Sequence, residues 1–317
     1  MTSGGGAASD GAAALTSELL EVAREAAQAG AAVLLRYFSR GVSSAQTKSS
    51  GTDMVSEADL GSEAAIRRVL AERRPHDLVL GEEGGLVRAD GTELHAGDAG
   101  ERYGGLAVTA ARAAARDGLV WICDPLDGTT NFLYGLRAWC VSVAVRDSAG
   151  AVAGVVVDPL AGETFVAARG GVALLIDRQG AVAPLDDASA RDVALEHALI
   201  GTGFAYDAAV RGYQAQTLAG FAGRVRDVRR AGAAALDLCW TAAGRLDAYY
   251  ERTVRPWDVA AGALLCEQVG LSVDYLPATA QVPDGVLVSP HALQAPLWRL
   301  VADGAEPVPG ALLDLVE

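Results

Sequence analysis

The sequence predicts an α/β (α+β) protein whose N-terminal half carries an antiparallel sheet and whose C-terminal half is mixed α/β. Three observations lead there. Residues 15–38 place apolar side chains at helical spacing, residues 140–168 hold three apolar runs separated only by tight turns, and strand and helix patterns alternate after Asp186. The chain has 317 residues, 51% hydrophobic and 21% charged, which suits a large buried core and excludes the charge-rich disordered class.

The elements follow in order. Met1 to Gly11 is small and polar with no basic segment leading into an apolar one, so residues 1–14 are expected to be a disordered lead and not a secretory signal. Leu19, Val22, Ala26, Ala29, Val33 and Tyr37 mark an amphipathic helix over 15–38 that Thr16 or Ser17 can cap. Gly41 to Gly51 is Ser-rich, the composition of a mobile loop. A second helical pattern runs from Ser56 to Arg74 and stops at Pro75. Leu78 to Leu80 form a short strand that enters Gly81-Glu82-Glu83-Gly84-Gly85. Residues 86–118 read as an insertion, rich in Gly and Ala, with one short helix at Leu106 to Arg116.

Strands are expected at Leu119 to Cys123, Cys140 to Arg146, Val152 to Val157 and Thr164 to Ala168. Short turns join the last three, which makes their pairing antiparallel. From Ala198 the pattern becomes strand Ala198 to Thr202, helix Val210 to Ala222, strand Val225 to Arg229, helix Ala233 to Ala243, strand Ala248 to Tyr250 and helix Val259 to Val269. The chain therefore divides near residue 186 into an N-terminal α+β lobe, 15–186, and a C-terminal α/β lobe, 187–317.

A formal net charge of -14 argues against a nucleic-acid or anionic-membrane partner, because phosphate backbones are bound by clustered Lys and Arg. An acidic protein that handles phosphate needs positive charge from elsewhere, and bound metal supplies it. Cys123, Cys140, Cys239 and Cys266 are far apart within apolar stretches, as buried thiols of a cytoplasmic protein would be. The four histidines are scattered, and no run approaches the roughly 18 apolar residues of a membrane span.

The strongest chemical signal is Asp124-Pro125-Leu126-Asp127-Gly128-Thr129-Thr130-Asn131-Phe132, directly after a strand. Two carboxylates flanking a Pro-fixed turn, with the Leu126 carbonyl between them, form a ligand set for a hard cation. Gly128 permits a tight turn, and N-H groups of a helix starting at Thr129 or Thr130 would face the same spot. The alternative is an ordinary turn, since Asp, Pro and Gly are turn residues. Glu82 and Glu83 form a second acidic strand end, with a solvated acidic loop as the alternative. Trp257-Asp258-Val259-Ala260-Ala261-Gly262 opens a helix in which Pro256 suits the first turn and Asp258 could simply complement the dipole.

Together with Lys48-Ser49-Ser50-Gly51-Thr52-Asp53-Met54-Val55-Ser56-Glu57-Ala58-Asp59, these segments resemble the inositol monophosphatase family in their order and approximate spacing, over about residues 15 to 300. The combination of DPLDGTTNF and WDVAAG is highly specific. The resemblance implies a layered α-β-α-β-α sandwich and a homodimer. It implies Mg2+, two or three ions per active site, held by Glu82, Asp124, the Leu126 carbonyl, Asp127 and Asp258. Thr129 and Asp59 would orient the attacking water, with Glu82 part of the same machinery, and the backbone of Gly128 and Thr129 would hold phosphate. Glu251 would meet a substrate hydroxyl, Ala234 and the Gly201 to Gly203 turn would line the pocket, and Lys48 would sit in a loop near the metals.

Two departures stand out. Ala233 follows Gly232 where family members often carry Ser or Thr, and the stretch between Glu83 and Asp124 is longer than usual. Thr130-Asn131-Phe132 resembles the inositol and sugar phosphatases, and Glu251 suits a polyol because a carboxylate accepts from vicinal hydroxyls. The expected reaction is hydrolysis of a small phosphate monoester, with inositol monophosphate as substrate and lithium as inhibitor. Histidinol phosphate and fructose 1,6-bisphosphate are the alternative substrates, and a non-catalytic interaction protein on the same fold is the alternative role.

Overall fold

The computed structural model describes residues 5–40, 45–47, 54–91, 118–302 and 304. Helix α1, Gly5–Arg40, starts upstream of the expected Leu15, so residues 5–14 of the expected lead are helical. Alanines at 7, 8, 12, 13 and 14 are the strongest helix formers and outweigh Gly11 there. A two-stranded ribbon, β1 Ala45–Thr47 and β2 Met54–Ser56, leads into α2, Glu57–Arg73. Part of the loop expected over 41–51 is thus β1, while Lys48 lies outside the described residues.

The larger sheet contains β3 Leu78–Gly81, β4 Gly85–Arg88, β5 Val120–Asp127, β6 Cys140–Asp147, β7 Gly150–Asp158, β8 Glu163–Ala168, β9 Leu174–Ile176 and β10 Val182–Pro184. Its order is β10-β9-β8-β7-β6-β5-β3-β4. All its pairs are antiparallel except β3 with β5. The exception arises because β3 and β4 form a hairpin and β5 returns on the other side of β3. Strand β4 opens the stretch expected as an insertion, and the helix expected at 106–116 lies outside the described residues.

The smaller sheet has the order β12-β11-β13-β15-β14, from β11 Leu199–Thr202, β12 Asp227–Arg229, β13 Ala248–Arg252, β14 Ser272–Leu276 and β15 Gly285–Ser289. Strand β11 runs parallel to both β12 and β13, whereas β15 is antiparallel to β13 and β14. The remaining helices are α3 Thr129–Leu133, α4 Ala208–Phe221, α5 Ala234–Ala242, α6 Pro256–Gln268 and α7 His291–Val301.

Burial of apolar faces stacks these elements in five layers. Helices α1 and α2 cover one face of the large sheet around Leu19, Leu34, Ile66, Trp121 and Val143. Its other face packs on α5 and α6 through Leu238, Leu264, Val156 and Phe165. Those two helices also meet the small sheet, whose outer face is covered by α4 and α7 around Phe221, Tyr250, Leu293 and Leu297. The expected α-β-α-β-α sandwich is the observed architecture.

Candidate metal centre and active site

The site lies where β5 ends. Asp124 pairs with Ser142 and Asp127 with Cys140, so the register slips by a residue across Pro125-Leu126, where Pro125 has no N-H for the ladder. The slip is braced on every side. Leu126 N-H donates to Asp124 Oδ1 at 3.0 Å, Ser62 Oγ on α2 donates to the Pro125 carbonyl at 2.7 Å, and Thr129 Oγ1 donates to the Leu126 carbonyl at 2.9 Å. Gly128 then turns the chain at φ 89°, and a Cβ there would lie 2.7 Å from the Ala138 carbonyl oxygen.

The rest of the motif anchors this turn. Asn131 Nδ2 donates to the carbonyls of Ala138 at 2.6 Å and Ala231 at 2.9 Å, tying α3 to the segment that precedes α5. Phe132 packs edge-on to Trp139 with ring centroids 5.0 Å apart, and Phe38 of α1 lies 5.4 Å from Phe132. Asp127 is held by the start of α5, where Ala234 N-H donates to Oδ1 at 3.2 Å and Ala235 N-H to Oδ2 at 2.7 Å. Ala233, the N-cap of α5, has no side-chain hydrogen bond to offer, so the distant Asp127 satisfies those helix donors.

Three further segments converge on Asp124. The parallel pairing of β3 with β5 sets Gly81 against Cys123, and Glu82 N-H donates to the Cys123 carbonyl at 3.3 Å. Asp59 of α2, only 1% exposed, offers a carboxylate oxygen within 4.8 Å of those of Glu82 and Glu83. Asp258 sits in the first turn of α6 and accepts from Arg255 N-H at 2.6 Å, closing a capping box. Its expected helix-terminal role is therefore real and coexists with its place in the cluster.

The electrostatics follow from this crowding. Burial first, and then the charges of Glu82, Asp127, Asp258 and Asp59, push Asp124 well above the usual carboxylate range. Asp258 is raised in the same way by burial and by Asp127 and Glu82. Asp127 rises to about 6 through burial, although the Ala235 and Ala234 N-H groups and the Cys140 thiol favour its charged form. Five converging carboxylates fit an all-oxygen donor set for a hard divalent cation, which would remove the mutual repulsion.

Glu251 is the penultimate residue of β13 and accepts from Tyr249 Oη at 2.6 Å. Burial lifts it to about 7. Strands β11 and β13 are neighbours with Thr202 opposite Tyr250, which brings Gly203 against Glu251. The structure thus brings Asp59, Glu82, Asp124, Leu126, Asp127, Gly128, Thr129, Ala234 and Asp258 close together, with Glu251 and the adjoining Gly203 near Asp127 and Asp258. The sequence reading overlooked Ser62 and Glu63, which sit on the α2 face that carries Asp59. The i+3 and i+4 spacing from Asp59 was the available signal. It also overlooked Tyr206, whose hydroxyl lies 3.4 Å from Thr130 Oγ1 and which no motif marks. Asp237 on α5 was likewise unread; it is 0% exposed and raised by burial and by Glu251.

Comparison with known proteins shows the family of the chain. The family model described as the inositol monophosphatase family matches residues 15–301. The inositol-1-monophosphatase SuhB of Mycobacterium tuberculosis is 40% identical over 273 residues, covering 83% of this chain and 84% of that protein. A Pseudomonas aeruginosa protein named Nus factor SuhB is 34% identical over 259 residues, covering 80% and 83%. The solved structure of Mycobacterium tuberculosis SuhB superposes with a TM-score of 0.67 at 34% identity, covering 92% of this chain and 96% of that one.

Proposed function

Because the chain belongs to the inositol monophosphatase family, we propose that it is a magnesium-dependent phosphatase that hydrolyses inositol monophosphate to inositol and phosphate. The observation that carries this reading is the convergence of Asp59, Glu82, Asp124, Asp127 and Asp258 from four separate parts of the chain on one buried spot. Such mutual repulsion is relieved either by protons held on the acids or by a bound cation, and an all-oxygen set suits a hard divalent one.

In this reading Glu82, Asp124, the Leu126 carbonyl, Asp127 and Asp258 hold the metal. Bound divalent ions would supply a more acidic water and would stabilise the leaving oxygen. Thr129 and Asp59 orient the attacking water. The N-H groups of Gly128 and Thr129 hold the phosphate oxygens and fix phosphorus for in-line attack. Glu251 accepts from hydroxyls of the departing alcohol, beside Gly203 and Ala234. Phosphate leaves with the oxygen delivered by water, and the alcohol leaves with a proton, so no covalent enzyme intermediate is needed. Lithium inhibition in the presence of magnesium and a cytoplasmic homodimer belong to the same reading.

A phosphate-release panel tests it. Chelator-treated protein should be inactive and should regain activity when magnesium is returned, with inositol monophosphates cleaved faster than histidinol phosphate, fructose 1,6-bisphosphate or adenosine 3',5'-bisphosphate. Full turnover after verified metal removal would sink the metal mechanism, and preference for another ester would reassign the substrate.

A further inference from the structure

We propose that Tyr206 forms the leaving-group wall of this site and makes it selective for phosphate esters of cyclic polyols. The inference rests on the phosphatase reading above and concerns a residue outside every motif of the site.

Tyr206 lies between β11 and α4, in a segment that α4 clamps from below. Ala205 N-H donates to Oε1 of the buried Gln214 at 2.8 Å. Arg211 donates to the carbonyls of Ala205 at 2.9 Å and Tyr206 at 3.0 Å. Asp207 caps α4 by accepting from Ala209 and Val210 N-H, both at 2.9 Å. Side chains of Asp207, Arg211 and Gln214 thus fix the backbone that presents Tyr206, so the ring springs from a rigid base.

From that base the side chain reaches across the molecule. Its Cα belongs to the small-sheet half, and its hydroxyl lies 3.4 Å from Thr130 Oγ1 on α3, beside Thr129 at the end of the large sheet. Burial raises the phenol, the charges of Glu82 and Asp127 add to this, and the Thr130 hydrogen bond and Arg230 oppose it. Yet Tyr206 as a whole is 48% exposed. A half-exposed tyrosine therefore carries its hydroxyl to α3, beside Thr129.

Glu251 lies on the neighbouring strand: Gly203 packs on its carboxylate, and Tyr206 is three residues beyond Gly203 in the segment that leaves β11. An alcohol leaving between them meets a hydrogen-bond acceptor and an electron-rich ring face. A cyclic polyol satisfies both, with hydroxyls for Glu251 and a face of ring C-H groups for Tyr206. An acyclic polyol keeps the hydroxyls and has no such face.

The test compares inositol 1-phosphate with glycerol 2-phosphate at saturating magnesium, using wild type, Tyr206→Phe and Tyr206→Ala, each checked for native circular dichroism. Tyr206→Ala should lower the inositol-to-glycerol ratio of kcat/KM about tenfold, chiefly through KM for the inositol ester. Tyr206→Phe keeps the ring and should hold that ratio within about twofold of wild type. Equal losses on both esters in Tyr206→Ala, no change on either, or a Phe variant as impaired as Ala would each overturn the inference while leaving the phosphatase reading standing. A wild-type protein that releases phosphate from neither ester overturns both.

Discussion

Glu251 can occupy its place because residue 203 has no side chain: a Cβ there would fall 1.9 Å from the Glu251 Cδ. With Tyr249 Oη at 2.6 Å fixing its other side, the carboxylate has little room to retreat. Gly203→Ala should therefore mimic Glu251→Gln. Both should weaken an inositol ester by roughly 1.5 to 3 kcal/mol, the range for hydrogen bonds to charged groups, and leave an aryl phosphate near wild type. A pH signature accompanies this. Because Glu251 is raised to about 7, it is largely protonated below that pH in the free protein and cannot act as a charged acceptor. Wild-type kcat/KM for the inositol ester should rise through about pH 7, and Glu251→Gln should lack that limb. Equal losses on the aryl ester would place Glu251 among the metal ligands. Sequence resemblance pointed to both residues, but the steric reason for Gly203 depends on β11 lying beside β13, which the order of elements alone does not reveal. The buried thiols were legible from their apolar surroundings, and all four cysteines are free and buried.

Helix α2 shows how one element organises two others. Asp59 enters the cluster, Ser62 holds the Pro125 carbonyl, and Glu63 accepts from Glu83 N-H at 2.8 Å and Gly84 N-H at 2.9 Å while Arg67 Nε donates to it at 2.6 Å. Glu63 thus fixes the turn that carries Glu82. Glu63→Ala leaves two turn N-H groups without their acceptor, and it should raise the magnesium concentration needed for half-maximal activity roughly 10- to 100-fold, the usual effect of removing a residue that orients ligands. Activity at saturating magnesium should largely survive, and an unchanged magnesium dependence would show that the turn holds itself. The helix itself was readable from its spacing and from Pro75. Glu63 was not, because an acid on a helix ordinarily reads as solvated, and only the fold shows it to be 4% exposed. The same limit hid β14, whose half-buried Ser272 and Asp274 blur the alternation, and α7, where Pro296 inside the helix reads as a breaker. Strands β9 and β10 are three residues each, half-buried and exposed respectively, too short and too wet to leave a hydrophobic pattern. Strand β15 is legible in sequence as the apolar Val286-Leu287-Val288 run between Asp284 and Pro290, and the fold buries it throughout.

At the scale of the whole molecule, five layers hold a buried group of acids inside a protein of net charge -14. Folding without a cation must then keep protons on those acids. Asp127, raised to about 6, and Glu251, raised to about 7, bind protons in the folded chain that they have already lost in the unfolded one, where they titrate near 4. Asp124 and Asp258 are raised in the same direction. Stability of the metal-free protein should fall as pH rises from about 4 to about 7, the range in which the folded state holds protons that the unfolded state has lost. A cation that binds only the folded cluster should reverse the loss. The decisive measurement is the thermal midpoint of chelator-treated wild type and Asp124→Asn at pH 5.5 and 7.5, with magnesium or with sodium chloride at matched ionic strength. Wild type should melt several degrees lower at pH 7.5 than at 5.5, regain the difference with magnesium and not with sodium, and Asp124→Asn should show a smaller pH loss and little response to magnesium. A wild type indifferent to magnesium at pH 7.5, or an Asp124→Asn protein stabilised by magnesium as strongly as wild type, would contradict the assignment of this cluster as the metal centre.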